Sequence, residues 1–510
     1  MSFQRASASV TLLWHDYETT GTNKQLDRPT QFAAVRTDAD LNVIGEDIML
    51  YCQPSLDSLM HPMAAMVTGI TPQECQAKGK SEVDFCKAVI QELGKGGTCG
   101  VGYNTIAFDD EITRNMLYRN FRDPYEREWR GGNSRWDLIT AVRLFAALRP
   151  EGIVWPTKED GRPSQRLEDL AKANHLKQER AHNALSDVYA TIQLARLLKT
   201  TQPRLWDFAF GLRDKAKVQE VVNLAAPKPF VHVAPYYDHG GTAILYPIAQ
   251  HPINKNGIIS VNLSADLSPL FSLDVETIAE RLFGGGMADD EEKPVRLPLT
   301  MIQINKAPPV AAIQALRAED RERLGYDEAV LAQCQAQQNR ITQDPNLARG
   351  LAQKLQAAFQ MASKRFGEPA DADLALYNGF PSPMDKAVIE SVKASSPDVL
   401  ATQYFTFQHP KYEALFFRYR ARNWPHLLSS DEHEAWLTHC RTRLTTDTPA
   451  TTLTLAEYRE QVAVLREDPA HAHKVEVLDA LDSWANDLEG RLNAATVRPT
   501  ATESVRRPRP

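Results

Sequence analysis

Apolar and polar positions alternate through residues 10 to 51 in three short runs, VTLLWHDYE, QFAAVRTD and IMLYCQP, separated by turn-forming residues. Such alternation predicts strands. Helical spacing takes over afterwards, and strands followed by helices predict a sheet covered by helices. The clearest helix is AHNALSDVYATIQLARLLKT, where Leu185, Val188, Ile192, Leu194, Ala195 and Leu198 recur near helical spacing. It is expected to close a first domain over residues 1–202, with the QPR at 202–204 as the break. From 203 to 365 the chain turns to short apolar runs, FVHVA, GTAILYPIAQHP, GIISVNLS and VRLPLTMIQINKAPPV, broken by Pro, Asn and Gly, which predicts a small β-rich domain with helical flanks. Inside it, GGGMADDEEKP at 284–294 joins glycines to an acidic run and reads as a flexible surface loop. Helix formers and aromatic clusters such as YFTFQHPKYEALFFRYRARNWP predict a helical domain over 366–492. The polar, proline-containing end at 493–510 is expected to be a disordered tail.

Length agrees with this division, because 510 residues exceed what one hydrophobic core organises. No apolar run approaches the roughly 20 residues that cross a bilayer. The N-terminal run is interrupted by His15 and Asp16 and lacks a small-residue cleavage site, so no secretory signal is expected. The six cysteines form no CxxC pair, which fits a reducing cytoplasm. Nothing in the sequence requires an oligomer, and a monomer is expected. The formal charge of −7 alone argues against a polyanionic partner. Its distribution argues the other way: between Ile112 and Arg149, arginines 114, 119, 122, 127, 130, 135, 143 and 149 stand against only Asp123, Glu126, Glu128 and Asp137. This is a basic stripe on an acidic chain.

Asp16 and Glu18 sit two apart on a predicted strand, so both carboxylates face the same way. Like charges side by side repel unless a cation lies between them, and hard oxygen ligands suit Mg²⁺ or Mn²⁺. A polar strand end reads the same way in isolation. Asp109 follows the turn Gly102-Tyr103-Asn104 and opens a predicted helix, where an aspartate also serves as an ordinary cap. His182 precedes Asp187 by five residues, about 140° of rotation on a helix, so the two cannot share a helical face and His182 belongs to the loop before it. From there an imidazole could reach over a metal site and take a proton near neutral pH.

As an ordered set, Asp16, Glu18, Asp109, His182 and Asp187 resemble the DEDDh family of 3′-to-5′ exonucleases. HDYETTGTNKQLDRPTQFAAVRTD, GYNTIAFDDEITRNMLYRNFRDPY, NSRWDLITAVRLFAALRPEGIVWP, YNGF and RYRARNWP narrow the likeness to the bacterial exodeoxyribonuclease I family, up to about residue 490. The resemblance implies an α/β (α+β) ribonuclease H-like exonuclease domain with a mixed sheet, an SH3-like β-rich domain and a helical C-terminal domain. It implies degradation of single-stranded DNA from the 3′ end by two-metal hydrolysis to 5′-mononucleotides, in DNA repair and recombination. Asp16, Glu18, Asp109 and Asp187 would hold two Mg²⁺ ions, with Mn²⁺ as a substitute, and His182 would be the general base. Glu18 and Arg166 would contact the terminal nucleotide, with Asn104, Arg114, Tyr125, Trp129 and Arg143 near the strand path. Arg149, Phe208, Lys228 and Arg317 would receive the C-terminal tail of single-stranded DNA-binding protein. The rival readings are a 3′-to-5′ exoribonuclease and a non-catalytic single-strand-binding protein.

Overall fold

The computed structural model describes residues 10–159, 161, 163–177, 183–283, 296–363, 367, 369 and 371–494. The acidic loop at 284–294 and the tail beyond 494 lie outside them. The first domain runs β1 (Thr11–Thr19), β2 (Pro29–Thr37), β3 (Ile48–Tyr51), α1 (Pro62–Thr68), α2 (Pro72–Lys78), α3 (Glu82–Leu93), β4 (Thr98–Gly102), α4 (Asp109–Arg119), β5 (Ser134–Asp137), α5 (Leu138–Leu148), α6 (Leu167–Ala173) and α7 (Ala184–Thr201). Its strands form one mixed sheet in the order β3-β2-β1-β4-β5, antiparallel on the β2 side of β1 and parallel on the β4 side.

Successive residues of a strand face opposite sides of its sheet, and β1 uses both. Leu12 and Trp14 enter a core with Val142, Phe145, Val188 and Ile192 from α5 and α7. Leu13 and Tyr17 enter a second core with Phe85, Val89, Ile112 and Met116 from α3 and α4. Burial on both faces explains why VTLLW reads as a continuous apolar run, and it fixes β1 at the centre. The strands at 98–102 (TCGVG) and 134–137 (SRWD) carry no period-two signal. Their membership comes from pairing with β1 and with each other.

The expected break at 202–204 is a junction between two helices. A further helix, Pro203–Gly211, packs back on the first domain, its Trp206 edge-on to Trp136 with ring centroids 5.1 Å apart. The second sheet comprises β6 (Phe230–Val233), β7 (Thr242–Gln250), β8 (Gly257–Asn262), β9 (Leu299–Gln303) and β10 (Val310–Ala312), all antiparallel in the order β10-β6-β7-β8-β9. Pro247 lies at a register shift between β7 and β8, where a residue without an N–H can be accommodated.

Beyond 371 the described chain is helical, ending with Val475–Ala494 beside the expected start of the tail. These helices grip the first domain at two apolar seams. Leu59, Met60 and Met66 pack with Trp436, Leu437 and Tyr458, and Val83, Tyr118 and Phe121 pack with Leu376, Phe407 and Phe416. Arg422, its side chain 2% exposed, lies 2.7 Å from Asp57 and 2.6 Å from Asp373, and Arg443 lies 2.7 Å from Asp373. Both aspartates are fully enclosed, a situation that buried charge tolerates only with close partners.

Candidate metal centre and strand path

The carboxylates of Asp16 and Glu18 leave β1 on the same side, opposite Ala33 and Gln31 of β2. Asp187 arrives from the first turn of α7, whose start is capped by Asn183 accepting from the Ser186 amide at 3.3 Å. Oxygens from Asp16, Glu18 and Asp187 lie within 4.8 Å of one another. Among the described residues no other group of three His, Cys, Asp or Glu side chains converges this closely.

Asp109 reaches the same end of β1 by another route. At the end of β4, Gly102 lies so close to Thr105 and to the His15 carbonyl that a Cβ would collide with both, and the chain turns from Tyr103 onward. Asn104 follows at φ 65°, and α4 begins at Asp109, whose Oδ1 accepts from the Tyr17 amide at 3.1 Å. The turn-then-helix reading of GYNTIAFDDEI therefore holds in the structure. His182 lies outside the described residues.

Burial raises Asp16 well above the ordinary carboxylate range, and Asp109, Glu18 and Asp187 push it further. Burial followed by repulsion from Asp187 and Asp109 lifts Glu18 to about 8. Burial lifts Asp109 to about 8 against the pull of the Tyr17 amide. Several acids that resist ionising together, all offering hard oxygen, are the donor set a divalent cation stabilises. The site fits divalent metal ions.

The rest of the expected strand path divides. Tyr103 donates to the Gln165 carbonyl at 2.5 Å, and Arg143 Nε donates to Gln165 Oε1 at 3.4 Å. The residue after Gln165 is Arg166, an exposed side chain 3.2 Å from Glu168. Asn104 lies in the loop that leads to Asp109, and Gln165 links that loop, through Tyr103, to Arg143. Trp129 is 66% exposed. Tyr125 is half-buried, its ring 6.2 Å from that of Phe380, an exposed aromatic of the C-terminal domain that sequence reasoning did not single out.

The basic stripe needs correction. Arg114 is only 6% exposed; it donates to Glu128 at 2.7 and 2.9 Å and to Glu111 at 2.8 Å, and covers the Tyr125 ring at 5.2 Å. Arg119 pairs with Glu82, Arg127 and Arg135 with Asp110, and all are buried. With Arg149, which lies 3.2 Å from the enclosed Asp320, five of the eight arginines therefore neutralise internal acids, most of which lie outside the stripe.

Arg149 and Arg317 converge on Asp320, at 3.2 and 2.9 Å, where the first domain meets the second. Phe208 and Lys228 are exposed. Two features escaped the sequence reading. A cavity of about 320 Å³ opens beside Glu18, lined by His61, Met63, Val67 and Phe108; His61-Pro62 ahead of an apolar run is the signal for α1, but nothing in it points to Glu18. Asp137, the last residue of β5, accepts backbone amides from Asn104 at 2.8 Å, Ile106 at 3.0 Å and Ile139 at 3.2 Å.

Comparison with known proteins covers the whole of this architecture. Family models described as Exonuclease, Exonuclease I SH3-like domain and Exonuclease I C-terminal domain match residues 13–195, 213–361 and 370–488. Exodeoxyribonuclease I of Escherichia coli K12 is 42% identical over 94% of this chain and 98% of its own length, and that of Haemophilus influenzae is 39% identical over 84% and 90%. Exonuclease I of Methylocaldum szegediense superposes with a TM-score of 0.86 at 40% identity, covering 94% of this chain and 99% of that one. E. coli exonuclease I in complex with a dA16 oligonucleotide gives 0.84 at 41%, covering 94% and 100%, and its zinc-bound complex with single-stranded DNA gives 0.85 at 41% with the same coverage. Likeness of this depth through the sheet with its acids, the β-rich segment and the helical segment makes the chain a member of the exonuclease I family.

Proposed function

We propose that this protein is a 3′-to-5′ exodeoxyribonuclease that removes 5′-mononucleotides from single-stranded DNA in Mg²⁺, with Mn²⁺ as a substitute. The observation that carries this reading is the trio Asp16, Glu18 and Asp187 within 4.8 Å in a chain of the exonuclease I family. Divalent cations bound there supply charge relief at the phosphate and acidify the attacking water. The chain's own groups do the rest. Asp16 and Asp187 are the principal metal holders, and His182 accepts the proton. Asp109, pinned by the Tyr17 amide, keeps its carboxylate at the end of β1. Glu18 and Arg166 would contact the last nucleotide, and the cavity beside Glu18 lined by Met63 and Val67 would receive its base. Trp129, Tyr125 and Arg143 serve the strand behind it, since stacking faces and cations grip single strands without regard to sequence.

In the cell we place this activity in the cytoplasm, in DNA repair and recombination, with the protein acting as a monomer. Single-stranded DNA-binding protein would dock its acidic tail at Arg149, Arg317, Lys228 and Phe208. Loss of tail-peptide binding in Arg149→Ala with DNA affinity kept supports that contact; unchanged binding removes it.

The test of the activity is product analysis on single strands labelled at either end, with duplex DNA and RNA of the same sequence as controls. Stepwise release of mononucleotides from the 3′ end of the DNA strand, sensitive to EDTA and lost in a folded Asp16→Ala or Asp187→Ala variant, is the expected result. Equal degradation of RNA would move the assignment to an exoribonuclease, and EDTA-insensitive binding without release to a non-catalytic protein.

A further inference from the structure

Asp137 is 2% exposed, and among the described residues no arginine or lysine closes to ion-pair distance on it, although the Arg143 charge attracts it from farther off. A buried carboxylate without a close cation is costly unless hydrogen bonds replace its water. Here three backbone amides do so. One bond, to Ile139, is the ordinary cap of α5. The other two reach back more than thirty residues to Asn104 and Ile106, in the loop between β4 and α4.

That loop needs outside support. Asn104 holds a left-handed backbone conformation at φ 65°, a region that asparagine tolerates better than most non-glycine residues. The helix it feeds has no cap of its own, because Phe108 occupies the N-cap position and offers no side-chain hydrogen bond. Asp109 is the first residue of that helix, so the place of its carboxylate is set by the loop's path. From the other side the loop is tied by Tyr103 to the Gln165 carbonyl, next to Arg166.

Resting on the nuclease reading above, we propose that Asp137 is a positioning residue: by binding the Asn104 and Ile106 amides it fixes the loop that delivers Asp109 to the metal-holding acids. It touches neither substrate nor metal. Its effect is on the fit of the acid set to a cation, as with groups that orient metal ligands from behind.

The discriminating variant is Asp137→Ser in the full chain. A serine oxygen can still cap α5 at Ile139 but is too short to reach the loop amides. Mn²⁺ binding is measured by electron paramagnetic resonance titration without DNA, beside kcat, KM and circular dichroism. We expect a folded variant whose Mn²⁺ dissociation constant rises about tenfold or more, with kcat reduced at fixed metal and KM for the oligonucleotide little changed. A folded Ser variant with the parent's Mn²⁺ affinity overturns the proposal. Should the Ser variant fail to fold, Asp137→Asn, which keeps volume and one acceptor, is expected to shift affinity in the same direction by less, and parent-like affinity there overturns it equally. A parent that binds Mn²⁺ yet releases no nucleotide sinks the nuclease reading, while comparison of the two dissociation constants still decides the role of Asp137.

Discussion

Asp16→Asn is expected to stabilise the metal-free protein at pH 8 while abolishing nucleotide release. The oxygens of Asp16, Glu18 and Asp187 lie within 4.8 Å of one another, and at an effective dielectric of about 20 two unit charges at that separation repel by about 3 kcal/mol. Proton uptake relieves part of this, so deleting the shared charge is expected to yield a net gain of about 1 to 3 kcal/mol. Asparagine keeps the volume, removes the charge and exchanges one acceptor oxygen for an N–H donor. The pH dependence follows from Glu18 and Asp109, both lifted to about 8 from ordinary values of 4.5 and 3.8. Between those limits the folded, metal-free protein binds more protons than the unfolded chain, so its stability is highest below about pH 4 as far as these groups go and falls as pH rises toward 8. The variant's profile is expected to be flatter. Cations replace the protons, and a hundredfold excess of Mg²⁺ over its Kd is expected to stabilise the parent by about 2.7 kcal/mol and the variant much less. The assay is the thermal unfolding midpoint of the full chain across pH in EDTA and in Mg²⁺, with hydrogen exchange of the β1 amides as a local report. A variant that melts below the parent in EDTA at pH 8, or whose Mg²⁺ shift equals the parent's, would refute the electrostatic reasoning.

Three further outcomes follow from the geometry. Trp129→Ala is expected to weaken single-strand binding by about 1 to 3 kcal/mol irrespective of sequence and to leave unfolding unchanged; unaltered affinity in a fluorescence titration would remove Trp129 from the strand path. Arg114→Met strips Glu128 and Glu111 of a buried partner, so lower thermal stability is expected to be its first effect, and an unchanged melting point with weakened DNA binding would show the arginine serving DNA directly. Arg422→Met leaves Asp57 with arginines only at 3.5 Å and is expected to destabilise the protein by about 3 to 5 kcal/mol, which calorimetry would contradict by an unshifted transition.

What could be read from the sequence follows physical locality. β1 and α7 were legible because each buries a continuous set of side chains with one period, and the α7 signal located Asp187. Asp16 with Glu18 was legible because two residues suffice to express the pair. β4 and β5 were not, because TCGVG and SRWD are strands by virtue of their neighbours. The basic stripe misled for a related reason: Glu82, Asp110 and Glu111, which neutralise Arg119, Arg127, Arg135 and Arg114 in space, lie before or outside the counted window. Asp137 looked like one more charge in that window, and only the fold shows its carboxylate turned onto the Asn104 loop. His182 lies outside the described residues, so its role rests on the resemblance.

The enclosed Asp57–Arg422–Asp373 junction, together with the two apolar seams, has a consequence for modularity. Excising residues 13–195 would leave Asp57 without Arg422 and lay Met60, Met66 and Tyr118 open to water, producing a sticky fragment with a stranded charge. The segments of this chain are therefore poor cassettes: a chimaera between relatives has to bring a matching acid, arginine and apolar partner to each side of that junction.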